Sequence, residues 1–292
     1  MTESASDTEI VVGVDDSPSS EPALRWAAAE AALRKCPLVI VYALAPTMVA
    51  WSAVPAPTGF LEWQRSIGQQ ILEDAAQIAK DVSQGAIPVS TELAVAPPIT
   101  TLVERSKHAR MVVVGSRGRG ALTRTILGSV STGLIHRAHC PVAVIHDEDA
   151  LPPVPTAPVL LGFDDSPASE AATALAFEEA SRRGVELIAL HAWWSPGAYE
   201  FPGFVWEDVQ PAIERDVVDR LAVWQERFPD VTVQRIVVPD LPAQRLVNHA
   251  GSAQLLVVGS HGHGGVASAL LGSVSTAVVQ AARIPVIVVR PR

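Results

Sequence analysis

Apolar residues along this chain come in short unbroken runs separated by longer stretches of mixed character. In the first half the runs fall at 10–14, 38–43, 89–95, 111–115 and 141–145, and they are rich in Val and Ile. Runs of that length without polar alternation predict strands buried on both faces, as in a parallel sheet. Between them, helical spacing predicts helices over Pro18–Lys35, Ser66–Gln84, Ile99–His108 and Ser129–Ala138. Ser17 is the expected N-cap of the first helix and Pro18 its first helical residue. In the second half the strand-like runs fall near 159–163, 186–192, 231–238, 255–259 and 285–289. This alternation predicts an open, five-stranded parallel sheet covered by helices in each half, an α/β sandwich of Rossmann-like kind. Ligands of such sheets bind outside the carboxyl ends of the strands, where strand order reverses.

The halves are two copies of one design. "IVVGVDDSPSSEPALRW" starts at Ile10 and "VLLGFDDSPASEAATAL" at Val159. "GSRGRGALTRTILGSVST", Gly115 to Thr132, returns as "GSHGHGGVASALLGSVST", Gly259 to Thr276. The expected organisation is a first domain over 1–146, a linker over 147–158 and a second domain over 159–292. The linker, "DEDALPPVPTAP", combines charges with four prolines, which reads as stiff and extended.

The repeated stretch carries the candidate chemistry. Its pattern is G-x2-G-x9-G-S: Gly115, Gly118, Gly128 and Ser129, then Gly259, Gly262, Gly272 and Ser273. Gly115 ends a Val-rich strand, where a missing Cβ allows a sharp turn and a close ligand approach. Gly128 and Ser129 open the next helix, whose unpaired N–H groups and dipole favour an anion. Ser129 and Ser131 are expected to add hydroxyl donors to a phosphate. Asp15, ending the first strand, would face the same crevice. A carboxylate repels phosphate, which assigns it to the base or ribose end; the competing reading is a carboxylate that caps the turn before Pro18. Asp16 reads as a cap or surface group. Ala43, ending the second strand, is small enough to leave its backbone open to an adenine edge.

The copies differ in their cations. The first has Arg117, Arg119 and Arg124; the second has His261, His263 and Ser268. Arginine is always charged and grips phosphate with a fork of donors. Histidine ordinarily titrates near pH ~6.5. The first site is therefore expected to hold a triphosphate more tightly near neutral pH, and the second to gain affinity toward pH ~6. Two exposed loop histidines are the plain alternative, and no further Cys or His converges to suggest a metal. The Pro- and Trp-containing segments Ala45–Trp63 and Trp193–Trp206 read either as flaps over the crevice or as packing across the sheet end.

Composition narrows the function further. A net charge of −9 and the lack of a basic run argue against nucleic acid as a partner. No apolar run approaches a membrane span, and the polar start "MTESASDTEI" lacks a signal-peptide pattern, so a cytoplasmic location is expected. Cys36 and Cys140 form no metal pattern and read as core or loop thiols.

Asp-Asp-Ser-Pro after the first strand, together with the glycine-serine stretch before the last helix, resembles the universal stress protein family in its tandem form. The resemblance covers both halves and implies an adenine nucleotide alpha hydrolase-like fold that binds ATP, with Mg2+. It implies contacts from Asp15, Ala43, Gly115, Gly118, Gly128, Ser129, Val130 and Ser131, with Arg117 and Arg119 on the phosphates. The second-half set is Asp164, Ala192, Gly259, His261, Gly262, Gly272, Ser273, Val274 and Ser275. Members commonly pair through their last strands, which implies a homodimer or an internal pairing of the runs at 141–145 and 285–289. The implied role is regulation of stress survival or growth through binding. A slow ATPase or nucleotide-transferring enzyme of related fold is the alternative, with Asp15 and magnesium positioning water. The first half departs from the family pattern at "VAPPI", Val95–Ile99, where the second keeps an acid in "PDLPA", Pro239–Ala243.

Overall fold

The computed structural model describes residues 9–45, 58–118, 127–146, 154–164, 166–193, 204–262 and 272–290. The chain divides into two compact units, 1–147 and 148–292.

In the first unit the elements are β1 (Glu9–Val14), α1 (Ser20–Arg34), β2 (Leu38–Ala43), α2 (Phe60–Ser83), β3 (Val89–Ala94), α3 (Pro98–Arg105), β4 (Ala109–Gly115), α4 (Ser129–Arg137) and β5 (Val142–Ile145). The strands lie in the order β3-β2-β1-β4-β5 and every pairing is parallel. Ile10, Val11, Val12, Met111, Val112 and Val113 are fully buried, which is why these strands read as unbroken apolar runs rather than alternating ones. Tyr42 faces Gly68 of α2, whereas Gly13 faces Leu102 of α3. Successive residues of a strand point to opposite faces, so α2 and α3 cover opposite sides of the sheet.

The second unit repeats the plan: β6 (Val159–Gly162), α5 (Pro167–Arg183), β7 (Leu187–Ala192), α6 (Trp206–Arg227), β8 (Val233–Val238), α7 (Pro242–Ala250), β9 (Leu255–Gly259), α8 (Ser273–Ala281) and β10 (Val286–Val289). Its strand order is β8-β7-β6-β9-β10, again parallel. Among the described residues no helix is long and apolar enough to cross a membrane.

Three local expectations need correction. The first helix starts at Ser20, not Pro18, and its N-cap position is Ser19. Ser17 does not cap it, because the Ser17 hydroxyl is turned back onto the Asp15 carboxylate. The expected device is found in the second unit instead, where Ser166 caps α5 by accepting from Ser169 N and Pro167 is the first helical residue. The second helix begins at Phe60 rather than Ser66, so Trp63 sits on a helix, packed on Phe60 at a ring distance of 5.7 Å. Trp51 lies outside the described residues. The last part of the linker is a turn: Ala157 N donates to Val154 O, and the buried Gln254 amide donates to the carbonyls of Pro155 and Ala157. Those hydrogen bonds hold residues 154–158 to the second unit, so this part is not an extended spacer.

Candidate functional site

Strand order reverses between β1 and β4, and the crevice opens beyond their carboxyl ends. A cavity of about 770 Å³ lies there. Asp15, Ala43, Gly115, Arg117, Gly118, Gly128, Ser129, Val130 and Ser131 all line it. Arg119 and Arg124 lie outside the described residues. Sequence reasoning missed the apolar wall formed by Val41, Leu44, Pro98, Leu102 and Val114, and an amide, Gln64 on α2. Pro98 and Leu102 are four apart on a short helix, a spacing that could have placed them on one face. Nothing in the sequence marks Gln64.

Ala43 ends β2 one residue past the last β1–β2 pair, Val14↔Tyr42. The next residue, Leu44, donates its N–H to Ala94 O on the β3 side at 2.8 Å. The Ala43 C=O and the Leu44 N–H belong to one trans peptide and point opposite ways, so the Ala43 carbonyl faces the β1 side, beyond the end of that strand.

The glycine turn follows β4. A Cβ on Gly115 would stand 2.7 Å from the Ser19 carbonyl oxygen. Its missing side chain is thus required by the close approach of the start of α1, rather than by a ligand. A Cβ on Gly118 would stand 3.0 Å from Asp15 Oδ2. Gly128 N donates to Ser116 O at 2.8 Å and closes the loop onto the turn. The N–H groups of Ser129, Val130 and Ser131 then open α4, where no intrahelical carbonyl can reach them. Ser129 is exposed, as a ligand donor would be. Ser131 differs from expectation: it is buried, and its hydroxyl donates to the carbonyls of Ser116 and Gly128 at 3.1 and 2.9 Å. Its side chain fastens the loop, which leaves its N–H as its group for an anion.

Asp15 makes the turn contact of its capping reading and also lines the cavity. Its Oδ1 accepts from Ser17 N at 3.0 Å and from the Ser17 hydroxyl, the capping-type turn. Its Oδ2 lies over Gly118, at the glycine turn rather than apart from it. The carboxylate therefore lies beside the Gly118 turn in the lining of the cavity. Asp16 is exposed.

The second unit reproduces much of this arrangement. Asp164 Oδ1 accepts from Ser166 N at 3.0 Å, and a Cβ on Gly262 would stand 2.6 Å from Asp164 Oδ2. Gly272 N donates to Ser260 O, and the buried Ser275 hydroxyl donates to the carbonyls of Ser260 and Gly272. Ser273, Val274 and Ser275 open α8. A Cβ on Gly259 would meet Ala168, and one on Gly162 would meet Leu246 and Val258, as Gly13 would meet Leu102 and Val114. Ala192 ends β7, and Trp193 N donates to Val238 O as Leu44 N does to Ala94 O.

Differences lie around this shared frame. His261 Nδ1 is 2.8 Å from the Ser260 hydroxyl. His263 and Ser268 lie outside the described residues. Trp193 stacks on Phe204 and packs on Trp206, so this end of the second sheet carries an aromatic cluster. The acid found only in the second unit, Asp240, is engaged locally: the Leu241 N–H and then Arg245 hold its carboxyl below the usual carboxylate range. Among the described residues no group of three His, Cys, Asp or Glu side chains could hold a metal ion by itself. Both cysteines are buried, and burial pushes the Cys36 thiol up, which suits core packing rather than nucleophilic chemistry.

A five-stranded parallel sheet with a glycine turn at its switch point, present twice in one chain, defines a tandem α/β protein. The model of the universal stress protein family matches residues 8–146 and 156–290, and the chain belongs to that family. It is 52% identical over 284 residues to the universal stress protein Rv2005c of Mycobacterium tuberculosis, covering 96% of each chain. It is 49% identical over 293 residues to Rv2623 of the same organism, covering 99% of each. A universal stress protein from Archaeoglobus fulgidus shares the fold, with a TM-score of 0.73 at 19% identity over 97% of this chain and 96% of that one.

Proposed function

We propose that this universal stress protein binds ATP in the first-unit cavity and a second adenine nucleotide at the matching place in the second unit, and that occupancy is the signal it carries in stress survival or growth control. The observation that supports this most is the convergence on one cavity of an anion-binding end and an apolar end. The anion end has the start of α4, the Gly118 turn and Arg117; the apolar end has Ala43, Pro98 and Leu102. Asp15 fits Mg2+: among the described residues it is the one acidic side chain lining the cavity, and Mg2+ is commonly held by one or two carboxylates plus substrate phosphates. A bound Mg2+ would offset the repulsion between Asp15 and phosphate. The proposed working form is a cytoplasmic homodimer whose nucleotide state is read by a protein partner.

Nucleotide retained through rapid, gentle purification, up to two per chain, is the expected result. A chain that carries none and takes none up from solution would rule the reading out. A turnover assay separates a binding protein from the slow ATPase.

The two sites are expected to differ. Arg117 is a fixed cation with a planar fork of donors that suits phosphate, which His261 does not offer. Site-resolved titration should therefore show the first unit holding ATP more tightly. Equal affinities would overturn this difference.

A further inference from the structure

We infer that Ser19 and Ser166 are positioning residues: each latches the glycine turn of its unit to the aspartate turn, and the two units use hydroxyls at different positions to do it. The latch rests on hydrogen bonds alone; its consequence for nucleotide rests on the function proposed above.

Ser19 occupies the N-cap position of α1 and is fully buried, yet its side chain does not cap the helix. Its hydroxyl instead donates to the Arg117 carbonyl, 98 residues away, at 2.5 Å. The oxygen it holds belongs to the Arg117–Gly118 peptide. In a trans peptide the C=O and N–H point in opposite directions. Tying the oxygen to Ser19 therefore aims the Gly118 N–H away from α1, and Gly118 lines the cavity. The latch fixes the orientation of a donor that needs no side chain of its own.

In the second unit Ala168 stands where Ser19 stands in the first, and it has no hydroxyl to give. The task passes to Ser166, the counterpart of Ser17. Its hydroxyl donates to the His261 carbonyl at 3.1 Å, which orients the His261–Gly262 peptide in the same way. A hydroxyl has one proton to donate and two lone pairs to accept with. Ser166 uses both capacities, since it also accepts from Ser169 N at 3.1 Å to cap α5. In the first unit the same two tasks are uncoupled. Ser17 turns to Asp15, Ser19 holds the loop, and α1 starts without a side-chain cap.

The experiment uses the full chain, with ATP and adenosine as probes in site-resolved titrations and amide exchange at Gly118 and Gly262 followed by NMR. Ser19→Ala should speed exchange at Gly118 and cut first-unit ATP affinity about tenfold, the scale of one lost hydrogen bond. It should leave adenosine affinity unchanged, because only the phosphate end depends on the latch. A merely structural defect would weaken both probes. Ser166→Ala should have the same effects at Gly262, and adding Ala168→Ser should restore ATP affinity by installing the first-unit arrangement. Unchanged Gly118 exchange with an unchanged ATP-to-adenosine ratio in Ser19→Ala would overturn the inference, as would failure of Ala168→Ser to rescue. If Ser19→Ala does not fold, the second-unit pair decides. If the wild-type chain takes up neither probe, the nucleotide reading falls, and the latch stands or falls on amide exchange alone.

Discussion

Replacing Gly118 with alanine is expected to weaken nucleotide binding in the first unit by tenfold or more, about 1.4 kcal/mol. The added Cβ would sit 3.0 Å from Asp15 Oδ2. Asp15 is not free to yield, because Ser17 holds its other oxygen through both N–H and hydroxyl. The carboxylate or the turn must therefore shift, and either shift disturbs the group proposed to hold Mg2+ or the N–H proposed to meet phosphate. Titration of the full chain with ATP, resolved by unit, measures the loss. Wild-type affinity in both units would show that the site has been assigned to the wrong residues. Gly262→Ala should act still more strongly on the second unit, where the corresponding gap is only 2.6 Å.

Replacing Arg34 with leucine is expected to cost about 3–5 kcal/mol of folding stability, the scale for removing one partner of a buried ion pair. Arg34 Nε lies 2.5 Å from Glu30 Oε1, and both side chains are only 1% exposed. Without the guanidinium, the buried Glu30 carboxylate loses a charged partner. Arg25–Glu21 on the same helix has the same spacing, but its side chains are 54% and 57% exposed. Solvent screens that pair, and Arg25→Leu should cost less than about 1 kcal/mol. Urea unfolding of the two variants makes the comparison, and similar midpoints would refute the distinction. The second unit keeps an ion pair at this place, Glu179–Arg183, with the acid buried and Arg183 16% exposed.

What the sequence showed depended on how local the cause was. The strands were legible because burial on both faces leaves no polar position to blur the run, as in Met111–Val114. The glycine turn and the start of α4 were legible because their spacing occurs twice. The start of α1 was misplaced because its cause is distant: Ser17 is committed to Asp15 and Ser19 to a carbonyl on the far side of the crevice. Gly115 was read as making room for a ligand, although the backbone of Ser19 fills that room. Gln64 escaped notice because α2 starts at Phe60, six residues before Ser66, with Gly59 at its N-cap and no capping side chain to announce it.

The change of hydroxyl between the units also bears on recombination. The two turns look like interchangeable cassettes, "DDSPSSE" and "DDSPASE". A graft of the first into the second unit would carry both hydroxyls and offer two competing ways to close the loop. The reverse graft would remove Ser19 and make Ser17 serve the helix, the carboxylate and the opposite loop with a single proton. The two turns are therefore not interchangeable, because each serine arrangement is matched to its own unit.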